Sequence, residues 1–286
     1  MPIPNAPPEV VAVGASAGGV EALKCFAAGL PPGLPYAVLV VLHMPINAPS
    51  VLARILDRSG PLPATDAVHG EPLAPGTIRV AVPNRHLLVD GDRTVLSEGP
   101  TENGQRPAIN ALFRSVASAC GHRAIGVLLS GVLDDGTSGL AAIRSRHGTT
   151  IAQLPDEALF PAMPRNAIDA GVIDHQTSAG KMGQLLMELA ERDSSQAAAE
   201  PVADVHHAGI GDKLLQSHDG EIESALRVAV GALQEKAVLA RRLADQAGPG
   251  MARDRYQAIV DEAERAGDVL SERLSAGCTE RRERDE

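Results

Sequence analysis

The sequence predicts a doubly wound α/β fold: a mostly parallel sheet in a three-layer α/β/α sandwich, followed by a C-terminal helical hairpin. Three observations predict it. Short, wholly apolar runs recur through the first 190 or so positions, and amphipathic stretches of helical length separate them. The apolar material is also aliphatic: hydrophobic residues make up 44% of the 286, with no Trp, two Tyr and three Phe. Continuous runs rich in Val, Leu, Ile and Ala are what strands buried on both faces require.

Taken in order, the strand candidates are EVVAVG (9–14), YAVLVVLH (36–43), AIGVLLSG (124–131), TTIAQ (149–153) and GVIDH (171–175). The helical stretches between them are VEALKCFAAGL, APSVLARILDRSG, RPAINALFRSVASAC and SGLAAIRSRHG. The segment TIRVAVPNRHLLVDGDRTVLSE (77–98) breaks the alternation. A Pro-Asn turn and an Asp-Gly turn join short strands there, which predicts a β-hairpin insert or an antiparallel edge.

Composition shifts near position 193. Residues 1–192 read as one catalytic-size domain, 193–216 as a small-residue linker, and 217–286 as a helical hairpin with a charged tail. The hairpin rests on Ile222, Leu226, Ala229, Leu233, Ala240 and Leu243, then a Gly248-Pro249-Gly250 break, then Tyr256, Val260, Ala263, Leu270 and Leu274. Stripes at this spacing ordinarily bury against their own protein or a second copy, so packing on its own body or self-association stands ahead of binding a regulator.

Charge and cysteines exclude several classes. The formal net charge is −10, a poor match to nucleic acid or an anionic membrane. Cys25, Cys120 and Cys278 are far apart and form no C-x-x-C pair, which excludes a disulfide framework and a sequence-evident zinc site. A reducing cytoplasm is the expected compartment. The start MPIPNAPPEVV lacks the pattern of a signal peptide, and no apolar run reaches the length of a membrane span. No metal or organic cofactor is expected, and His206-His207 are read as loop residues.

The chemistry gathers at strand ends. Gly14-Ala15-Ser16-Ala17-Gly18 fits G-x-S-x-G at a strand-to-helix turn. That spacing suits a nucleophile on a tight elbow, with the unpaired N–H groups of the next helix close by. It also suits a phosphate-binding turn, or a corner with no chemistry. His43 ends the most apolar strand, before Met44-Pro45; a lone His there is as readily satisfied by a loop carbonyl. Asp134-Asp135 lies in a Gly-rich turn after AIGVLLSG, where one acid serves equally as a helix cap. Together a serine, a histidine and an acid stand at the carboxyl ends of parallel strands, where sites of such sheets form. They are the groups that nucleophilic acyl transfer needs. The order Ser, His, Asp departs from that of the α/β-hydrolases. A dinucleotide fold or a P-loop fits poorly: GASAGG has Ser at the middle Gly position, the second strand ends in His, and no Gly-Lys-Ser/Thr follows.

Several stretches in one order resemble the catalytic domain of the chemotaxis protein-glutamate methylesterases, the CheB type: VVAVGASAGGVEAL, VVLHM, RPAINALFRSVA, VLLSGVLDDGTSGLAAI and AQLPDEALFPAMPRNAI. The resemblance covers roughly residues 8–190. It implies Ser16 as nucleophile, His43 as general base and Asp135, directly before Gly136, as the orienting acid, with Asp134 its neighbour. It places Ala17 where Thr is frequent and Val132 where Met is common, both as backbone N–H donors near the oxyanion. Arg106 beside Pro107 is a candidate to position substrate, and Met163 to shape the pocket floor; His69 and His86 are read as structural. The implied reaction is hydrolysis of glutamyl methyl esters on cytoplasmic helices of chemoreceptors, and deamidation of glutamine there. The alternative is a catalytically silent chemosensory scaffold of the same fold. The first strand begins within a dozen residues, so the N-terminal receiver domain of the chemotaxis enzymes is expected to be absent and its control to pass to the C-terminal hairpin.

Overall fold

The computed structural model describes residues 9–44, 50–132 and 134–197, with scattered positions between 237 and 268. Nine strands are present among them: β1 (Val10–Ala15), β2 (Ala37–Leu42), β3 (Ala64–Asp66), β4 (Ile78–Val80), β5 (His86–Asp90), β6 (Arg93–Ser97), β7 (Ala124–Leu128), β8 (Thr149–Gln153) and β9 (His175–Thr177). The helices are α1 (Gly19–Gly29), α2 (Leu52–Ser59), α3 (Ile109–Cys120), α4 (Thr137–Ser145), α5 (Ala162–Asp169) and α6 (Met182–Ala197). Seven strands form one sheet in the order β3-β4-β2-β1-β7-β8-β9, and every pairing in it is parallel.

The side-chain period of a strand explains why β1 and β2 read as unbroken apolar runs. Val11, Val13 and Ala15 of β1, with Val38, Val40 and Leu42 of β2, face a core that includes Leu23, Phe26, Leu56 and Leu186, from α1, α2 and α6. Val10 and Ala12, with Ala37, Leu39 and Val41, face the opposite core of Leu112, Phe113, Val116, Leu140 and Ala167, from α3, α4 and α5. Both faces are dry, so alternation with polar residues is absent. The sheet is therefore the middle layer of three.

Strand order turns around at β1, which is flanked by β2 on one side and β7 on the other. That is the topological switch point, where loops at the carboxyl ends diverge and leave a crevice. The ends are sewn together by main-chain bonds. The His43 N–H donates to the Ala15 carbonyl (3.1 Å), the Leu129 N–H to that of Gly14 (2.9 Å) and the Ser16 N–H to that of Ser130 (2.9 Å). Gly14 lets α3 come close: a Cβ there would lie 2.3 Å from Ile109 Cγ2.

Four expectations are corrected. Within 77–98, only β5 and β6 make the antiparallel hairpin, across the Asp-Gly turn; Ile78–Val80 joins the main parallel sheet between β2 and β3. Three-residue strands carry too short a pattern to read. The last strand is His175–Thr177 and not 171–175, because Gly171 turns with φ +68° after α5. Helix α6 runs through Ala197, past the expected linker start at 193. Finally, α5 and β3 have no counterpart in the sequence reading.

Farther along, Ala237, Arg241, Ala244, Tyr256, Val260, Ala263 and Glu264 are helical, and Ala237, Ala244, Val260 and Ala263 are buried. Arg241 pairs with Glu264. Ile222, Leu226, Ala229, Leu233, Ala240, Leu243, Leu270 and Leu274, the remaining linker and His206-His207 lie outside the described residues, as does Pro45. No helix among the described residues is long and apolar enough to cross a membrane.

Candidate active site

Each chemical group is delivered by the end of a different strand. Ser16 follows β1, His43 follows β2, and Asp135 lies in the turn from β7 to α4. The structure brings all three together. His43 Nδ1 lies 3.1 Å from Ser16 Oγ, and His43 Nε2 lies 2.7 Å from Asp135 Oδ2. An ionised Asp135 can only accept, so Nε2 carries the proton in neutral His43 and Nδ1 is left to accept from the Ser16 hydroxyl. The histidine thus meets its acid through Nε2 and its serine through Nδ1.

Asp135 is fully buried and its carboxylate is saturated. Oδ2 also accepts the Ile109 N–H at 2.7 Å, and Oδ1 accepts the Asn110 N–H at 2.9 Å. These are the first N–H groups of α3, whose N-cap residue Ala108 has no side-chain acceptor of its own. The carboxylate from a remote turn takes the capping place, where unpaired N–H groups and the helix dipole favour negative charge. Burial alone would raise the Asp135 pKa. The hydrogen bond and charge of His43, with the two α3 N–H groups, outweigh it and hold the carboxyl below its ordinary value.

Asn110 closes the arrangement from the other direction. Its Oδ1 accepts the N–H groups of Gly136 (3.1 Å) and Gly139 (2.8 Å), at the start of α4. The residue after Asp135 is thereby tied to the helix that holds Asp135. Gly136 sits at φ +111°, in the region that favours glycine, and a Cβ there would meet Leu128 Cδ1 at 2.5 Å. Asp134 is exposed and accepts the Thr137 hydroxyl at 2.7 Å, so the two adjacent acids have different work.

On the nucleophile's side the main-chain groups are arranged differently. The Ser16 N–H is already engaged by Ser130, and the Gly131 N–H bonds the Phe160 carbonyl at 2.9 Å. Among the described residues no partner is found for the N–H groups of Ala17, Gly18 and Val132. The Ser16 N–H, by contrast, is committed to the Ser130 carbonyl.

The remaining candidates fall elsewhere. The Arg106 guanidinium donates to Asn84 Oδ1 (3.0 Å from Nε, 2.5 Å from Nη2) and to the carbonyls of Glu98 and Gly99 (2.9 and 2.8 Å). All three nitrogens are committed to the segments flanking the β5–β6 hairpin, so the residue braces that insert beside the start of α3. Met163 is fully buried, with its sulfur and Cε against Gly131, and its N–H bonds the Gly131 carbonyl. It underpins the turn carrying Val132 from below. His86 is buried, with Nε2 bonded to the Pro100 carbonyl and Nδ1 accepting the Ala108 N–H. The sequence reading missed Asn110 and Ser130. The available signal was a polar residue directly after an apolar strand in one case, and an amide in the first turn of an apolar helix in the other.

A serine, a histidine and a buried acid in one hydrogen-bonded chain, at the switch point of a parallel sheet, define the class: an α/β protein with the arrangement of a serine hydrolase. Its membership is narrower. The CheB methylesterase family model matches residues 11–186, and the chain belongs to that family. Among curated relatives, a protein-glutamate methylesterase/protein-glutamine glutaminase of Anaeromyxobacter dehalogenans is 40% identical over 187 residues, covering 64% of this chain and 52% of the relative. One of the same designation from Caulobacter vibrioides is 37% identical over 186 residues, covering 64% of this chain and 54% of the relative. The chain thus spans about half the length of the curated relatives it matches. The solved CheB methylesterase catalytic domain of Thermotoga maritima is 30% identical, with a TM-score of 0.61; the match covers 64% of this chain and 98% of that one.

Proposed function

We propose that this chain hydrolyses glutamyl methyl esters on cytoplasmic helices of chemoreceptors, and deamidates glutamine there, through Ser16, His43 and Asp135. The observation that carries the reading is the hydrogen-bonded chain from Ser16 Oγ through His43 to Asp135, at 3.1 and 2.7 Å.

In this reading Ser16 Oγ attacks the ester carbonyl carbon while its proton passes to His43 Nδ1. Asp135 remains ionised and stabilises the imidazolium through Nε2. The carbonyl oxygen takes up the negative charge and is met by N–H groups of Ala17, Gly18 and Val132. Collapse breaks the bond to the methoxy oxygen, which takes the proton from Nδ1 and leaves as methanol. Water then attacks the acyl-enzyme, gives a proton to Nδ1 and releases the glutamate side chain as Ser16 recovers its proton. With a glutamine substrate the leaving group is ammonia. Ala17 and Val132 contribute through the main chain, so the absence of Thr and Met at these positions removes no main-chain donor, although the hydroxyl that Thr would bring is lost.

The names of the relatives and the family match support this substrate class, and a cytoplasmic location follows from it. Residues 1–192 carry the chemistry in this reading. The region beyond α6 handles docking or control, which a chain ending at Ala197 with unchanged receptor binding and turnover would refute. The test of the central reading is covalent labelling with a fluorophosphonate. The label is expected on Ser16 and is expected to vanish in His43→Ala. A chain that stays unlabelled, yet binds a methylated receptor fragment, would be a scaffold.

A further inference from the structure

Ser130 lies at the second position after β7 and is fully buried. Every polar atom it has is used. Its N–H donates to Gln153 Oε1 (2.9 Å), and its carbonyl accepts the Ser16 N–H (2.9 Å). Its hydroxyl donates to the Ala17 carbonyl (2.8 Å) and accepts the Phe160 N–H (3.0 Å). The longer approach to the Phe160 carbonyl, 3.5 Å, competes poorly for the single hydroxyl proton. Gln153 is in turn oriented by Glu157, whose Oε2 accepts from Gln153 Nε2 (3.4 Å) and from the Ala179 N–H (2.9 Å). A buried polar chain therefore runs from the surface near α6 to the two peptide groups flanking the Ser16–Ala17 bond.

What that chain fixes follows from turn geometry. Residues 16–19 form a β-turn closed by the Gly19 N–H on the Ser16 carbonyl at 2.8 Å. Gly18, at its third position, has φ +68° and ψ 5°, the signature of a type II turn. Types I and II differ by a flip of the central peptide, here Ala17–Gly18. The peptide is planar and trans, so its C=O and N–H point in opposite directions. With the Ala17 carbonyl drawn to Ser130 Oγ, the Gly18 N–H is turned away from Ser130. A flipped peptide would exchange them, and a carbonyl oxygen would stand among the open donors of the elbow. Repulsion of a developing oxyanion would replace attraction.

We propose that the Ser130 hydroxyl is a positioning residue that locks the Ala17–Gly18 peptide in this orientation and so keeps the elbow a set of donors. The inference rests on Ser16 being the nucleophile. Ser130 touches neither the attacking oxygen nor His43; it acts through the turn. Loss of its hydroxyl should therefore slow the step in which charge develops and leave the affinity for the reagent unchanged.

The experiment is fluorophosphonate labelling of the full chain over a range of reagent concentrations, giving a limiting rate and a half-saturation concentration. Four proteins are compared: unmodified, Ser130→Ala, Ser130→Thr and Thr150→Val. Thr150 is a buried hydroxyl on β8 that donates to the Val172 carbonyl, remote from the elbow in sequence and not part of the site, and it reports what losing such a bond does to folding alone. The expected result for Ser130→Ala is a limiting rate lower by about tenfold to a hundredfold, the range that a small misplacement at a reacting centre produces. Half-saturation should not move. Ser130→Thr should recover most of the rate, and Thr150→Val should lower Tm and leave the rate intact. A Ser130→Ala rate within twofold of the unmodified chain would overturn the inference, as would a loss that Ser130→Thr fails to repair. Failure of the underlying reading looks different: the unmodified chain itself would take no label at Ser16.

Discussion

The two ends of the candidate site are built on opposite plans. At the acid end, Asp135 has no solvent exposure and three donors on its two oxygens, and the helix that supplies two of them is tied back by Asn110. At the nucleophile end, Ser16 is half-buried and the N–H groups of Ala17, Gly18 and Val132 have no partner among the described residues. A buried charge is tolerated only where its hydrogen bonds are complete. A donor meant for a transient charge is useful only while it is uncommitted. The same sheet supplies both conditions: α3 arrives with its first turn against Asp135, while the N–H groups of Ala17, Gly18 and Val132 meet no acceptor among the described residues.

That contrast can be broken at either end. The largest effect is expected from His43→Ala, which removes the group joining them: fluorophosphonate labelling should fall by about ten-thousandfold or more, as for other bases acting with a serine. Asp135→Asn comes next, at about a thousandfold to ten-thousandfold in kcat for a small ester, because the amide cannot hold His43 with Nε2 protonated as a carboxylate does. Asp135→Asn, set against the unmodified chain, also carries a pH signature. The Asp135 pKa is lowered in the folded chain, so its contribution to stability is fully present above the unfolded value of about 3.9 and is lost as pH falls through the folded one. Denaturant titrations should show a stability gap between the unmodified chain and Asp135→Asn that is constant near neutrality and shrinks below about pH 4.

Smaller effects sharpen the picture. Asn110→Ala leaves the Gly136 and Gly139 N–H groups without their acceptor, which should lower stability by about 1–3 kcal/mol and reduce labelling less than Asp135→Asn does. Arg106→Ala should matter least to chemistry. It frees Asn84 and the carbonyls of Glu98 and Gly99, so Tm is expected to drop while the labelling rate stays close to that of the unmodified chain. A large loss of kcat in Arg106→Ala would return that residue to the substrate.

How much of this was legible follows from the range of each signal. Ser16, His43 and Asp135, which the fold brings into one hydrogen-bonded chain, were legible as candidates because each follows a continuous apolar strand, a local pattern, and because the resemblance ordered them. The long strands were readable for the same reason. Ala64–Asp66 was not, and Ile78–Val80 was given the wrong partner, since three residues carry no periodicity: Ile78–Val80 is placed by pairing with β2, and Ala64–Asp66 by pairing with β4. Asn110 accepts from the Gly136 N–H across a separation of 26, and Ser130 bonds the Ala17 carbonyl across a separation of 113. Local sequence shows each as a polar residue in apolar surroundings, but not which distant group it meets. Arg106 shows the converse: its charge beside Pro107 read as a substrate contact, and the fold uses it as a brace.

The most direct measurement is methanol release from a methylated chemoreceptor fragment by the unmodified chain and by Ser16→Ala. Steady release is expected from the first and a rate lower by several orders of magnitude from the second, with its Tm unchanged. Equal release by a folded Ser16→Ala chain would contradict Ser16 as the nucleophile.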